Sequence, residues 1–287
     1  MDYDVVIIGA GPAGISASLY IVRANKKVLV LYGDKSSLEK TDKIENYYGF
    51  KNGISGEELY KTGIKQAENL GVDVKEEEVI KIETISENNY NFITKTSNGL
   101  YKSKKVILAT GNKKNKPKIN GINEFEGKGI SYCAICDGFF YKNKDVAVIG
   151  SGNYAISETN DLINLARKII ILTDGKKAPD FRADNVEIET RGIKEIKGNN
   201  KVEEIELADG TELKVDGVFI AQGVASSTDF AKKLGVLVKN DKIIVNENME
   251  TNIKNLYACG DCTGGLLQVS KAVYEGTIAG LNAIRNC

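Results

Sequence analysis

Five cysteines hold the redox and metal-binding capacity of this 287-residue chain: Cys133, Cys136, Cys259, Cys262 and Cys287. Cys133-Ala134-Ile135-Cys136 is a CxxC whose sulfurs can close a small disulfide ring, and in an intracellular setting such a pair is redox-active or metal-binding more often than structural. A thiol-disulfide couple needs a proton source. The chain contains no His, which removes His-dependent triads and most zinc sites, and Asp137 follows the pair directly. An acid fixed beside the sulfurs fills the role. Cys259-Gly260-Asp261-Cys262 repeats the spacing, so a non-catalytic scaffold with a four-thiolate zinc or iron–sulfur site is a competing reading. The long sequence between the pairs weighs against it, because zinc ribbons keep their pairs close; no metal is expected. Asp261, at a glycine turn after an apolar strand, reads as an acceptor for the sugar-chain hydroxyls of a dinucleotide. Cys287 reads as an exposed spectator.

The elements that must position these residues repeat once. Residues 4–33 run strand, glycine turn, helix, strand, with an apolar strand entering Gly9, Gly11 and Gly14; residues 145–173 repeat the plan with Gly150, Gly152 and Ala155. A lone GxGxxG is weak evidence, but two copies in the same strand-to-helix context are strong. The first glycine permits the turn, the second lets backbone approach a pyrophosphate and the third packs helix on strand. KKVILATG (104–111) and DGVFIAQG (216–223) read as further strands ending in small-residue turns, and IKNLYACGDCTGG leads into a closing amphipathic helix. A polar, Lys-rich connector with Pro117 marks a boundary near residue 114. The expectation is an α/β protein of two Rossmann-like dinucleotide-binding domains, the second (115–223) inserted into a discontinuous first domain (1–114 and 224–287).

Composition excludes several classes. Thirty-nine basic and 39 acidic residues cancel, so no global field draws the molecule to nucleic acid or acidic lipid. The acidic start Met-Asp-Tyr-Asp lacks the positive charge of a secretory signal, and apolar stretches are broken by Gly or charge. A cytoplasmic protein is expected. Only five of the basic residues are Arg, and Arg is the better fork for phosphate.

GAGPAG (9–14), ENYYGF (45–50), ATG (109–111), SYCAICDGFFYKNKDVAVIGSGN (131–153) and ACGD (258–261) resemble the low-molecular-weight thioredoxin reductase family, in order and over essentially the whole chain. The resemblance implies that the discontinuous domain binds FAD, that the inserted domain is equivalent to an NADPH domain, that the chain forms a homodimer, and that a disulfide passes electrons from flavin to thioredoxin. It assigns Gly9, Gly11, Pro12, Ala13 and Gly14 to the FAD pyrophosphate turn. Asn46, Ala109, Thr110, Gly111 and Gly260 become cofactor contacts, Asp261 takes the ribityl side, and Gln268 with Val269 approaches the isoalloxazine ring. Cys136 becomes the flavin-proximal thiol, Cys133 the thiol that attacks thioredoxin, and Asp137 the acid.

The departures concern the electron donor. Where NADPH-using members carry a His-Arg-Arg stretch, this chain has Leu172-Thr173-Asp174-Gly175-Lys176-Lys177. Asp174 repels a 2'-phosphate, although it could accept a ribose 2'-hydroxyl of NADH. Between Asp174 and the strand starting at Val186, Gly175 and Pro179 leave no room for a crossover helix; Arg182 in this loop reads as solvated. The sequence resembles the ferredoxin-dependent flavin thioredoxin reductases in lacking the clamp, so ferredoxin is the expected donor, with NADH or NADPH the alternative. An acidic ferredoxin would dock on a basic patch, for which Lys102, Lys104, Lys105, Lys113, Lys114, Lys116 and Lys118 are candidates.

Overall fold

The computed structural model describes residues 2–33, 36–87, 89–111 and 117–285. In chain order the elements begin with β1 (Asp2–Ile8), α1 (Pro12–Arg23), β2 (Val28–Tyr32), α2 (Gly56–Asn69), β3 (Asp73–Glu76), β4 (Val79–Glu87), β5 (Tyr90–Thr96) and β6 (Leu100–Leu108). The middle of the chain forms α3 (Ile122–Phe125), β7 (Ile130–Ser131), α4 (Ala134–Asp137), β8 (Asp145–Ile149), α5 (Asn153–Leu162), β9 (Lys168–Leu172), β10 (Val186–Glu189), β11 (Ile193–Lys197), β12 (Glu204–Leu207), β13 (Glu212–Lys214) and β14 (Gly217–Ile220). The last part forms α6 (Ser227–Lys233), β15 (Val238–Lys239), β16 (Lys242–Ile243), β17 (Leu256–Ala258) and α7 (Val269–Ile284). Two compact units result: Met1–Lys113 with Ser226–Cys287, and Lys114–Ala225.

The first unit is organised by a sheet in the order β3-β2-β1-β6-β5-β4. Val5 to Ile8 of β1 are buried, as expected of a parallel strand covered on both faces. The free edge of β6 is shared: its first half pairs antiparallel with β5, and Val106–Leu108 pair parallel with β17. Register places Ile8 opposite Leu108 and Leu108 opposite Ala258. The turns after β1, β6 and β17 therefore emerge at one sheet edge, the carboxyl end where open α/β sheets bind ligands. Helices α1 and α7 lie so close that a Cβ on Gly276 would stand 2.1 Å from the Ala13 carbonyl oxygen.

The second unit holds a parallel sheet in the order β10-β9-β8-β14-β7, with an antiparallel sheet β11-β12-β13 beside it. Ile149 ends β8 opposite both Leu172 and Ile220, so the second glycine turn leaves its sheet as the first does. The crossover from β9 to β10 is helix-free across residues 173–185, as Gly175 and Pro179 led one to expect. Among the described residues no helix is long and apolar enough to cross a membrane.

Candidate functional site

Cys133 and Cys136 are joined in a disulfide, their Cα atoms 5.3 Å apart. Cys133 caps the start of α4, its sulfur accepting from the Cys136 amide at 3.2 Å. The Asp137 amide donates to the Cys133 carbonyl, closing the turn. The Ser131 hydroxyl donates to Asp137 Oδ2 at 2.6 Å while its oxygen accepts the Cys133 amide at 3.1 Å. The acid beside the pair is thus tethered to the turn that bears the sulfurs. Cys133 is buried and Cys136 exposed, so in the oxidised pair the outward sulfur is Cys136. Phe139 and Phe140, just beyond, are 73% and 69% exposed. Tyr141 packs edge-on against Phe219, and burial, with the Asp137 carboxylate second, raises its phenol above the ordinary value.

At the carboxyl edge of the first sheet the three glycines of the first turn differ in space. A Cβ on Gly9 would lie 2.3 Å from the Ala109 carbonyl oxygen and one on Gly14 would lie 1.9 Å from that of Gly9, whereas nothing stands within 4 Å of one on Gly11. Gly9 and Gly14 are packed by the protein; the open space is at Gly11, where a pyrophosphate would approach the backbone. Helix α1 begins there with Pro12 in its first turn and no side-chain cap, leaving its positive end for an anion. Ala13 touches the Gly260 position, where a Cβ would meet it at 2.9 Å. Asp261 is half-buried, and burial raises its carboxyl above the ordinary range while Lys271 and Lys242 pull it down. Asn46 donates to the Gln268 side chain at 3.0 Å, and Gln268 directly precedes α7, whose first residue is Val269, without capping it through its side chain. These residues fit a bound dinucleotide: an uncapped helix start, an open glycine and an acceptor carboxylate share one edge.

Several expectations are corrected. The four-thiolate reading fails because two of its sulfurs are bonded to each other. Cys259 and Cys262 are fully buried free thiols; burial raises both, Cys262 to about 12, and the Cys262 thiol donates to the Cys259 carbonyl oxygen. One oxygen of Asp174 accepts the Ile193 amide at 2.9 Å, so this carboxylate ties the crossover loop to β11. Three of the seven candidate docking lysines are engaged within the protein. Lys105 is buried and donates to the Arg285 carbonyl at 2.6 Å, while Lys102 and Lys104 pair with Glu87 and Asp4. Lys118 is exposed, and Lys113, Lys114, Lys116 and Cys287 lie outside the described residues.

Sequence reasoning missed the residues that fix the ligand-facing turns. Ser227 exchanges hydrogen bonds with Thr110, donating its amide to Thr110 Oγ1 and accepting the Thr110 amide; the Ser226–Asp229 capping box was the available signal. Lys271 and Glu275 form a partly buried ion pair that holds both peptide groups of Gly260, the lysine on its carbonyl and the glutamate on its amide. Glu158, fully buried, accepts the Ala134 amide at 2.7 Å. Nothing in the local spacing singles out either acid.

Comparison with known proteins agrees with this geometry. The profile of the pyridine nucleotide-disulphide oxidoreductase family matches residues 3–276. The chain is 37% identical over 297 residues to the "34.2 kDa protein in rubredoxin operon" of Clostridium pasteurianum, covering 98% of this chain and 96% of that one. It is 37% identical over 278 residues to the thioredoxin reductase of Aquifex aeolicus, covering 90% and 85%. Among solved structures, the atypical thioredoxin reductase TRi from Desulfovibrio vulgaris Hildenborough superposes with a TM-score of 0.87 at 36% identity, covering 99% and 97% of the two chains. A ferredoxin-flavin thioredoxin reductase from Clostridium acetobutylicum gives 0.68 at 38% identity with the same coverage.

Proposed function

The chain belongs to the pyridine nucleotide-disulphide oxidoreductase family, among its thioredoxin reductases, and from that premise we propose an FAD-dependent thioredoxin-disulfide reductase whose electrons come from ferredoxin. The observation that carries the disulfide chemistry is the Cys133–Cys136 bond with Asp137 tethered beside it by Ser131. The unit Met1–Lys113 with Ser226–Cys287 would hold FAD, and Lys114–Ala225 would present the redox pair. Gly9, Gly11, Pro12, Ala13 and Gly14 would hold the pyrophosphate. Ala109, Thr110, Gly111 and Gly260 would line the same edge, with Asp261 accepting from the ribityl hydroxyls and Asn46, Gln268 and Val269 meeting the ring system. When bound, FAD accepts electrons singly or in pairs and passes a pair to a disulfide.

Cys136, the exposed sulfur, is the one open to an electron donor from outside its unit. Two electrons and two protons convert the disulfide to a dithiol. The resemblance to thioredoxin reductases assigns the attack on thioredoxin to Cys133, which is buried in the oxidised state. As a thiolate it displaces one sulfur of thioredoxin's disulfide, forming a mixed disulfide, and Asp137 supplies the proton for the departing thiolate. Cys136 then attacks Cys133, releasing the second thioredoxin sulfur and restoring the bond.

The donor assignment draws on the helix-free crossover 173–185, the engagement of Asp174 with Ile193, and the exposure of Arg182, the sole guanidinium in that loop. Together these argue against a paired-guanidinium clamp for a 2'-phosphate in that loop. A second reading, NADH or NADPH as hydride donor, draws on Gly152, whose Cβ position is nearly as open as that of Gly11, and on α5, which starts without a side-chain cap. Anaerobic titration of the flavin separates them. Reduced ferredoxin should bleach it while micromolar NADPH or NADH does not; rapid bleaching by either nucleotide with none from ferredoxin overturns the assignment. The reading includes a cytoplasmic location and a homodimer, the latter supported by exposed Tyr20 on α1 and Tyr274 and Leu281 on α7, and sedimentation measures its mass.

A further inference from the structure

The two glycine turns are built alike in their backbones. A Cβ on Gly9 would lie 2.3 Å from the Ala109 carbonyl oxygen and 2.9 Å from the Thr110 amide nitrogen, and one on Gly150 would lie 2.2 Å from the carbonyl oxygen of Ala221. Ala109 donates its amide to the Ile8 carbonyl at 2.8 Å, and Ala221 donates its own to that of Ile149 at 2.9 Å. The residue that follows differs. After Ala109 comes Thr110, whose amide and hydroxyl both donate to the Ser227 hydroxyl oxygen, at 3.0 and 2.9 Å, while Thr110 Oγ1 accepts the Ser227 amide at 2.7 Å. After Ala221 comes Gln222, which has no hydroxyl. The second turn forms without this clamp, so the backbone of such a turn does not itself require one. Ser227 is fully buried, and it is the second residue after the chain returns to the first unit at Ser226. Its oxygen takes two donors, the full acceptor capacity of a hydroxyl, and the sulfur of Cys262, the residue after Asp261, is a hydrogen-bond neighbour of the same group.

We propose that Ser227 is a positioning residue for the cofactor of the first unit: by holding the Thr110 amide it fixes the Ala109–Thr110 peptide against Gly9, and so sets the wall of the turn at whose open glycine, Gly11, the FAD pyrophosphate would approach. With Ser227 in place, the Thr110 donor is met inside the protein and the peptide keeps one orientation. Without the hydroxyl that amide loses its acceptor, and a peptide that turns to find another changes the surface of the glycine turn. The same bonds tie the segment that follows β6 to the segment that returns at Ser226, so the turn and the re-entry of the chain are set together. The inference rests on reading this edge as the FAD site, and it adds a residue that acts through the Thr110 peptide and does not touch the cofactor itself.

The test is the rate of FAD release from the full-length holoprotein after dilution, followed by the rise of free-flavin fluorescence at a temperature below the melting point of every variant. Ser227→Ala should release FAD about tenfold faster than wild type, the size expected when one buried donor loses its acceptor. Thr110→Val, which removes the other hydroxyl of the clamp, should also release faster, and Thr110→Ser, which keeps that hydroxyl, should release more slowly than Thr110→Val. A folded Ser227→Ala protein that melts lower but releases FAD at the wild-type rate overturns the proposal, because that is the behaviour of a clamp that only joins two segments. Equal acceleration in Gln222→Ala, at the corresponding place of the other turn, would reveal a general loosening and overturns it too. If Ser227→Ala does not fold, the Thr110 pair decides, and equal release from Thr110→Val and Thr110→Ser counts against the proposal. A wild-type protein that retains no FAD sinks the functional reading together with this inference, whereas retention in wild type with unchanged release from Ser227→Ala sinks this inference alone.

Discussion

Ser131 and Asp137 are bound side chain to side chain at 2.6 Å, across the turn that carries the disulfide. The same hydroxyl oxygen takes the Cys133 amide, so one serine fixes both the Asp137 carboxylate and the backbone of Cys133. A general acid contributes about 10²–10⁴-fold when positioned. Asp137→Asn should lower thioredoxin turnover by about a hundredfold, and Ser131→Ala, which leaves the acid in place but untethered, by about tenfold. Stopped-flow absorbance should show flavin reduction by the donor unchanged in both. Slowing of that half-reaction to the same extent would refute the role given to Asp137.

The two open glycines offer a contrast that separates ligand contact from packing. Gly14→Ala places a methyl group 1.9 Å from a backbone oxygen and should destabilise the fold by about 1–3 kcal/mol or more. Gly11→Ala meets no protein atom within 4 Å, so the apoprotein should melt at the wild-type temperature while FAD content after reconstitution falls. Gly152→Ala, in the second turn, should leave both melting and ferredoxin-driven turnover unchanged. A selective loss of turnover there would point to a nucleotide at the second turn.

Lys271 and Glu275 are each 13% exposed at the side chain and bonded at 2.9 Å. Removing one partner of such a partly buried pair leaves the other's hydrogen bonds unmet and costs about 1–3 kcal/mol. Lys271→Met and Glu275→Gln should each lower urea-unfolding stability by an amount in that range, and the double variant should lose less than the sum. Because the pair holds Gly260, both single variants should also release FAD more readily from the turn bearing Asp261. Strict additivity in the double-mutant cycle would contradict the coupling.

Burial disfavours thiolates, which is why Cys262 titrates up at about 12 and Cys259 is also raised. Below pH 9 both should remain thiols and resist alkylation in the folded protein, while Cys133 and Cys136 label once reduced. Peptide mapping after a short native pulse should show modification of Cys259 and Cys262 only when denaturant is added. Native labelling of either residue would show that its enclosure opens.

The sequence by itself determined the strand–glycine–helix turns at Gly9 and Gly150, the acid beside Cys133-x-x-Cys136, and the helix-free loop imposed by Gly175 and Pro179. These are local properties: backbone freedom, a ring closed over four residues and a proline's missing donor act between neighbours in the chain. Cys259-x-x-Cys262 has the same spacing as the redox pair, and only tertiary structure made one pair a disulfide at an accessible turn and the other two buried thiols. It also placed Lys105 beneath α7's last turn when its sequence setting read as surface, set Gly11 open where Gly9 and Gly14 are filled, and brought Glu158 from the far side of a glycine turn onto the Ala134 amide. Burial and charge environment are sums over neighbours distant in sequence, and spacing along the chain does not encode those neighbours until sheet register and helix packing have brought them together.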